Sequence, residues 1–313
     1  MTSFMAPPEA LTSGPAGMML YAVTPGFVAE IGGLDLARPL APEALEAVKQ
    51  AYWAYAVLIF PDQYLTSDEH LAFARQIGPL EPVMVSPSPD EARLRPELAD
   101  VSNLMPDGSI WQGEGWHRLM RLGDRMWHTD SSFKHVPALA SLLYGRSIAP
   151  IGGFTEFADE RAAWDALPDD LRQPIEKLVG EHHFFASRQR YGCADFPEAM
   201  IAATPPAWQA LVRTIPQSGR RTLYLACHLH PIAGMDDGEA MARIDALIDH
   251  ATQPQFVYRH RWRVDDLVMW DDRCTMHRGT AFNDTRWTRD IQRATIADKD
   301  NSCVLEGLAA PEV

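Results

Sequence analysis

Two short stretches, Trp127-His128-Thr129-Asp130 and Thr275-Met276-His277, lie roughly 150 residues apart in a chain of 313. Their chemistry asks that they meet. A histidine and a carboxylate two residues apart fall on one side of an extended strand, because strand side chains alternate with period two. His128 and Asp130 can therefore face one metal ion together, and His277 supplies a third donor. Two imidazoles and one carboxylate form the facial set that suits non-haem iron(II) and leaves positions open for substrate and oxygen. Open three-ligand zinc sites use similar donors, so zinc is the rival metal at this point. A set drawn from such distant segments closes only within a single fold.

The pattern between these stretches is of short strands with a few helices. Residues 42–55 place Leu45, Val48, Tyr52 and Tyr55 at helical spacing behind Pro42, a good first-turn residue. Ser67 reads as the N-cap of a helix ending at Gly78-Pro79. Two further helices are expected over 159–167 and 168–179, and an amphipathic one over 235–250. Strands are expected over 27–36, 56–60, 139–148, 154–157, 182–187, 207–213, 222–226, 256–260, 267–270 and 289–296. The His128 segment reads as a strand as well. Asp107-Gly108 is a hairpin turn signal between 98–104 and 109–111. Residues 79–97 read as a loop, 188–207 as irregular, and 112–124 as a flap beside the site. Residues 1–17 read as a loose arm, 18–298 as one domain, and 299–313 as a peripheral tail. This pattern predicts a β-sandwich or jelly-roll core with helices outside it.

Composition narrows the function. The net charge of −14 argues against a nucleic-acid partner, which would favour a basic face. No apolar run approaches the roughly 20 residues needed to span a bilayer, and the N-terminus has no basic-then-apolar leader. Cys193, Cys227, Cys274 and Cys303 form neither a paired metal motif nor a disulfide framework. A cytoplasmic protein is the expectation.

Downstream of His277 stand Arg289 and Arg293, four residues apart and so on one face of a strand. A guanidinium presents a planar fork that binds carboxylate through two parallel hydrogen bonds. Such forks beside a metal set point to an anionic oxoacid or dicarboxylate ligand, which a zinc hydrolase would not explain.

Several stretches together carry a resemblance: Trp127-His128-Thr129-Asp130-Ser131-Ser132-Phe133; Gly152-Gly153-Phe154-Thr155-Glu156-Phe157; Arg161-Ala162-Ala163-Trp164; Arg259-His260-Arg261-Trp262; and Asp266 through Gly279, with Met269-Trp270-Asp271-Asp272-Arg273 before His277. The chain resembles the taurine dioxygenase/2,4-dichlorophenoxyacetate dioxygenase family of Fe(II)- and 2-oxoglutarate-dependent oxygenases, from about residue 26 to about 297, and sits nearer the phenoxyacetate-cleaving branch. The resemblance implies a mixed α+β chain with a double-stranded β-helix (jelly-roll) core and surrounding helices. It implies Fe(II) on His128, Asp130 and His277, and O2 and 2-oxoglutarate as co-substrates, with ascorbate a stimulant to test. It places the far carboxylate of 2-oxoglutarate on Arg289 and Thr155, with Arg286 the next candidate should the preceding loop shift the register. Arg293 then faces the substrate anion or the co-substrate, and His228 becomes a candidate for the substrate pocket, with a half-buried structural histidine as its plainer reading. His182, His183, His230 and His117 read as structural or exposed, Asp271-Asp272 as turn formers, and Trp127 and Trp270 as core. The implied reaction hydroxylates a small anionic substrate, an aryloxyalkanoate first and a sulfonate such as taurine second. The family's habit of forming dimers or tetramers makes a homo-oligomer the expectation. A non-catalytic oxoacid sensor is the rival from another class.

Overall fold

The run Leu267–Asp271 shows how alternation builds the core. Leu267 and Met269 point into one apolar layer, and Val268 and Trp270 point into another. A strand covered on both faces reads as a continuous apolar run, because neither side meets water. The computed structural model describes residues 10–82, 93–112, 123–190, 196 and 198–311.

In chain order the strands are β1 (Ala10–Ser13), β2 (Met19–Thr24), β3 (Val28–Gly32), β4 (Val57–Phe60), β5 (Ala99–Asp100), β6 (Ala138–Ser147), β7 (Thr155–Asp159), β8 (Val179–His182), β9 (Ala207–Ala210), β10 (Val212–Thr214), β11 (Arg221–Leu223), β12 (Leu229–Ile232), β13 (Val257–His260), β14 (Leu267–Asp271), β15 (Thr275–Gly279) and β16 (Asp290–Ala297). The helices are α1 (Pro42–Tyr55), α2 (Ser67–Ile77), α3 (Glu160–Ala166), α4 (Asp169–Arg172), α5 (Phe184–Arg190), α6 (Glu198–Ala203), α7 (Asp237–Ala251) and α8 (Ser302–Glu306).

The main sheet runs β1-β2-β3-β4-β14-β6-β16-β5. Among the described strands, only β3 and β4 pair in parallel. A second sheet, β13-β7-β15, faces it, and β12-β8-β9 and β10-β11 complete the strand pairing. Phe157 of β7, Leu143 of β6, Trp270 of β14 and Ile291 of β16 fill one layer. On the far side of the main sheet, α1 and α2 cover Leu142, Met269 and Ile296. Ala158 of β7 and Met276 of β15 point the other way, into a layer roofed by α3 and α7.

Local chemistry sets the element ends. Helix α1 begins at Pro42 and buries Ala44, Val48, Ala51 and Tyr52. Helix α2 is capped by Thr66, not Ser67: the Thr66 hydroxyl accepts from the Glu69 amide while the Glu69 carboxylate returns to the Thr66 N–H. That capping box satisfies two donors, where Ser67 offers one. The segment 168–179 yields only α4 and a single 3-10 turn before β8 begins at Val179. The segment 182–187 is a correction of type: β8 ends at His182 and α5 takes over at Phe184. Two aromatics in a short run read as strand, but Phe184 and Phe185 pack from a helix onto Phe133.

Residues 1–9 of the arm read over 1–17 lie outside the described residues; the segments that are described near each end pack against the domain. Ala10–Ser13 adds an edge strand to β2. Beyond residue 298, the Asn301 amide donates to the His135 and Trp208 carbonyls, and the Ser302 hydroxyl donates to Gln209. No helix among the described residues is long and apolar enough to cross a membrane.

Candidate active site

His277 sits in β15 with its side chain turned between the two facing sheets. Its ring lies 4.6 Å from that of Trp270 and 4.2 Å from that of His128. His128 does not belong to a continuous strand, as its spacing suggested. It forms a single bridge to His277, with the main-chain N–H of each donating to the carbonyl of the other at 3.0 and 2.8 Å. The chain then turns at Asp130, and Ser131 takes a positive φ of 52°. Glu81 holds this turn by accepting from Ser131 at 2.6 Å and from Lys134.

The donors nevertheless converge. Asp130 Oδ1 stands 3.8 Å from His128 Nε2, and Oδ2 stands 3.8 Å from His277 Nε2. One ligand atom from each residue fits within 4.8 Å of the others. Their protonation states suit a metal. His128 Nδ1 lies 2.7 Å from the Met126 carbonyl, which favours the tautomer with its proton on Nδ1 and Nε2 turned toward the other donors. Burial holds His277 well below the usual imidazole range and so neutral. Burial alone would raise Asp130, but the Arg293 guanidinium, helped by the Ser141 hydroxyl, holds the carboxyl below its usual range. Two neutral imidazoles and an ionised carboxylate are the forms in which these residues ligate.

Arg293, half-buried in β16, donates through Nη1 to Asp130 Oδ1. Ser141 of β6 donates to Oδ2 at 2.7 Å. Ser141 carried no motif signal; its place across the sheet from Thr295 becomes visible only with the register known.

Arg289 lies one residue before β16, and the pairing with β6 shifts between Asp290 and Ile291. The extra residue lies in β6, so alternation along β16 is kept: Ile291 and Leu143, the register partner of Arg293, lie in the layer between the sheets, and Arg289 reaches Gly153 just before β7. Arg289 donates to the Gly153 and Val101 carbonyls at 3.4 and 3.3 Å. No carboxylate among the described residues lies within ion-pairing distance of it. Burial, partly offset by Asp124, brings its pKa down to about 10. Gly153 has a φ of +67°, and a Cβ there would sit 3.4 Å from Arg289 Cδ, so the Gly152-Gly153 turn lets the arginine pass close to the backbone. Two residues on, buried Thr155 accepts from Trp262 Nε1 at 2.9 Å and keeps its own hydroxyl proton to donate. Arg286 is exposed and lies over Trp287.

His228 is buried with its ring 6.2 Å from that of His128. Phe133 and Phe184 flank it at 5.2 and 5.8 Å, and Ser187 holds its Nδ1 at 3.0 Å. Burial, with nearby Arg188, keeps it neutral. The other histidines do not join the set. His182 bonds Ser132 at 2.9 Å, and His183 and His230 are half-buried and are not in the cluster of His128, Asp130 and His277. Of the flap read over 112–124, residues 113–122, His117 among them, lie outside the described residues.

Residues 20–295 match the family described as taurine catabolism dioxygenase TauD, TfdA family. An alpha-ketoglutarate-dependent 2,4-dichlorophenoxyacetate dioxygenase of Cupriavidus pinatubonensis is 40% identical over 88% of this chain and 96% of its own. An (S)-phenoxypropionate/alpha-ketoglutarate-dioxygenase of Sphingobium herbicidovorans is 35% identical over 76% of this chain and 81% of its own. Among solved structures, the crystal structure of AAD-2 in complex with Mn(II) and N-oxalylglycine superposes with a TM-score of 0.83 at 41% identity, covering 91% of this chain and 98% of that one. The chain belongs to the TauD/TfdA family. It is a non-haem, 2-oxoglutarate-dependent dioxygenase.

Proposed function

We propose that this dioxygenase uses iron(II) on His128, Asp130 and His277 to hydroxylate an aryloxyalkanoate at the carbon beside its ether oxygen. The observation that carries the substrate class is the aromatic wall of Phe133, Phe184 and His228 against His128, with the Arg293 cation on the adjoining Asp130. A flat ring and an anion at one end are what an aromatic face beside a guanidinium can bind. A taurine-like sulfonate would suit Arg293 but has no ring for that wall. The relatives named for 2,4-dichlorophenoxyacetate and phenoxypropionate support the same choice.

Arg289 and Thr155 hold the far carboxylate of 2-oxoglutarate. A buried guanidinium with only long bonds to carbonyls carries a desolvation cost of several kcal/mol that a carboxylate offsets. When bound, iron(II) and 2-oxoglutarate supply the oxidation, sending one oxygen of O2 to succinate with loss of CO2 and the other to substrate carbon. Arg293 anchors the substrate carboxylate, and the aromatic wall orients the ring and keeps water away. The hydroxylated ether carbon is a hemiacetal, which collapses to a phenol and an oxoacid.

The long-range antiparallel pairing of the two facing sheets supports reading the core as a double-stranded β-helix. The buried thiols Cys274 and Cys303 suit a reducing, cytoplasmic setting.

The test is succinate release from 2-oxoglutarate with iron(II), ascorbate and air, across phenoxyacetate, 2-phenoxypropionate, taurine and an aliphatic acid. Stimulation by the aryloxy acids, with phenol in step, is expected. Stimulation by taurine alone would overturn the substrate class.

A further inference from the structure

Asp271 and Asp272 stand side by side where β14 leaves its sheet, and they do different things. Asp271 serves the turn: its carboxylate takes the Arg273 main-chain N–H at 3.0 Å and pairs with the Arg273 side chain at 2.7 Å. Asp272 is fully buried and faces the other way. Its Oδ1 accepts the indole N–H of Trp270 at 2.9 Å and the main-chain N–H of Asp130 at 3.3 Å. Trp270 in turn lies against His277, with ring centroids 4.6 Å apart, and against Phe157 at 5.3 Å. One oxygen atom thus ties together two segments that are about 140 residues apart in sequence.

We propose that Asp272 and Trp270 act as a positioning pair for the metal ligands. The inference rests on reading His128, Asp130 and His277 as those ligands. Asp130 follows a lone bridge, not a strand, so little main-chain pairing fixes it beyond His128. Asp272 supplies the missing restraint by holding the Asp130 N–H. The same oxygen fixes the tilt of Trp270, and the indole face limits how far the His277 ring can rotate. Hydrogen bonding by Trp270, more than its bulk, therefore links the two halves of the set. Neither residue touches substrate or metal; both act through the ligands.

A partner of this kind typically contributes about 10–100-fold to metal affinity. The experiment is a Co(II) titration of the metal-free protein, read by visible absorption without turnover, alongside the melting temperature of the metal-free protein. Trp270→Phe keeps an aromatic ring and removes only the N–H donor. Asp272→Asn keeps an oxygen that can accept both bonds, and Asp272→Ala removes it. The expected result is at least a tenfold loss of Co(II) affinity in Trp270→Phe and Asp272→Ala, with Asp272→Asn within threefold of the native protein. Trp270→Phe decides the matter if Asp272→Ala does not fold. A folded Trp270→Phe within threefold of native would overturn the proposal and leave Trp270 as core alone. Equal losses in Asp272→Asn and Asp272→Ala would overturn the shared-oxygen arrangement. Absence of Co(II) binding by the native protein would instead remove the metal assignment itself.

Discussion

Arg293 and Asp130 form an ion pair at the centre of the site, although one lies in β16 and the other in the turn after His128. Asp130 also takes the Ser141 hydroxyl on its second oxygen, so its two oxygens are held from opposite sides. An ionised carboxylate offers about four lone-pair directions, enough to serve these donors and a metal together. The Arg293 charge is thereby brought beside His128, Asp130 and His277.

Replacing Arg293 with Ala should raise the KM for an aryloxy acid steeply and leave the 2-oxoglutarate requirement within a few-fold. Loss of one partner of a buried charged pair costs about 2–5 kcal/mol, or roughly 30- to 5000-fold at 1.36 kcal/mol per tenfold. Steady-state kinetics with each reactant varied in turn separates the two effects. If 2-oxoglutarate suffers and the aryloxy acid does not, Arg293 is the co-substrate arginine.

Arg289→Ala should do the converse, raising the 2-oxoglutarate requirement far more than that for substrate. The native protein should also show a pH limit. The guanidinium is charged below about 10, so its attraction for a carboxylate is present there and fades as pH rises through that value. Binding of 2-oxoglutarate should oppose the loss by favouring the charged form. Affinity measured calorimetrically at pH 7.5 and 10.5 tests this, and Arg289→Lys provides a cation without the fork. An affinity flat across that range would assign the carboxylate to another donor.

Removing the shared ligand tests the metal set directly. Mn(II) at 100 times its Kd should stabilise the native protein by about 2.7 kcal/mol through mass action alone. Asp130→Ala should abolish that shift in thermal melting and end succinate formation. The same substitution leaves Arg293 without its anion, so the metal-free variant should melt below the native protein. A metal-dependent shift that survives in Asp130→Ala would place the ion elsewhere.

The sequence was most readable where one period dominates over several turns or a whole strand. Helix α1 begins and ends where Pro42 and the spacing of Val48 and Tyr52 place it. Strand β14 announces itself because both its faces are covered. Strand β15 was hidden, since Asp271 to Cys274 reads as turn and only five residues follow before Gly279. The distance between His128 and His277 required one fold, but the means of joining them, a single bridge and a turn, leaves no periodic trace. Trp270 was legible as core and is core. Its bond to Asp272 depends on a side-chain direction that composition does not encode. Helix α5 was misread because packing on Phe133 overrode the strand preference of Phe184 and Phe185.

Two buried histidines outside the metal set should make the protein acid-sensitive. His70 and His182 are fully buried, and desolvation pulls each from 6.5 to about 3. Between those values the unfolded chain binds protons that the native state refuses, so stability falls as pH drops below about 6.5. From pH 6.5 to 5.0 each histidine accounts for about 2 kcal/mol, taking 1.36 kcal/mol per pH unit. His70 accepts or donates at Nδ1 to Gln292 at 3.1 Å, a role Gln can partly assume. His70→Gln should therefore be less stable at pH 7.5, yet lose about 2 kcal/mol less than the native protein between pH 7.5 and 5.0. Urea unfolding of the metal-free proteins at the two pH values measures the difference, and the other titrating groups cancel in the comparison. An identical pH drop in both would mean that His70 takes up its proton in the folded state, and that burial there is weaker than its packing indicates.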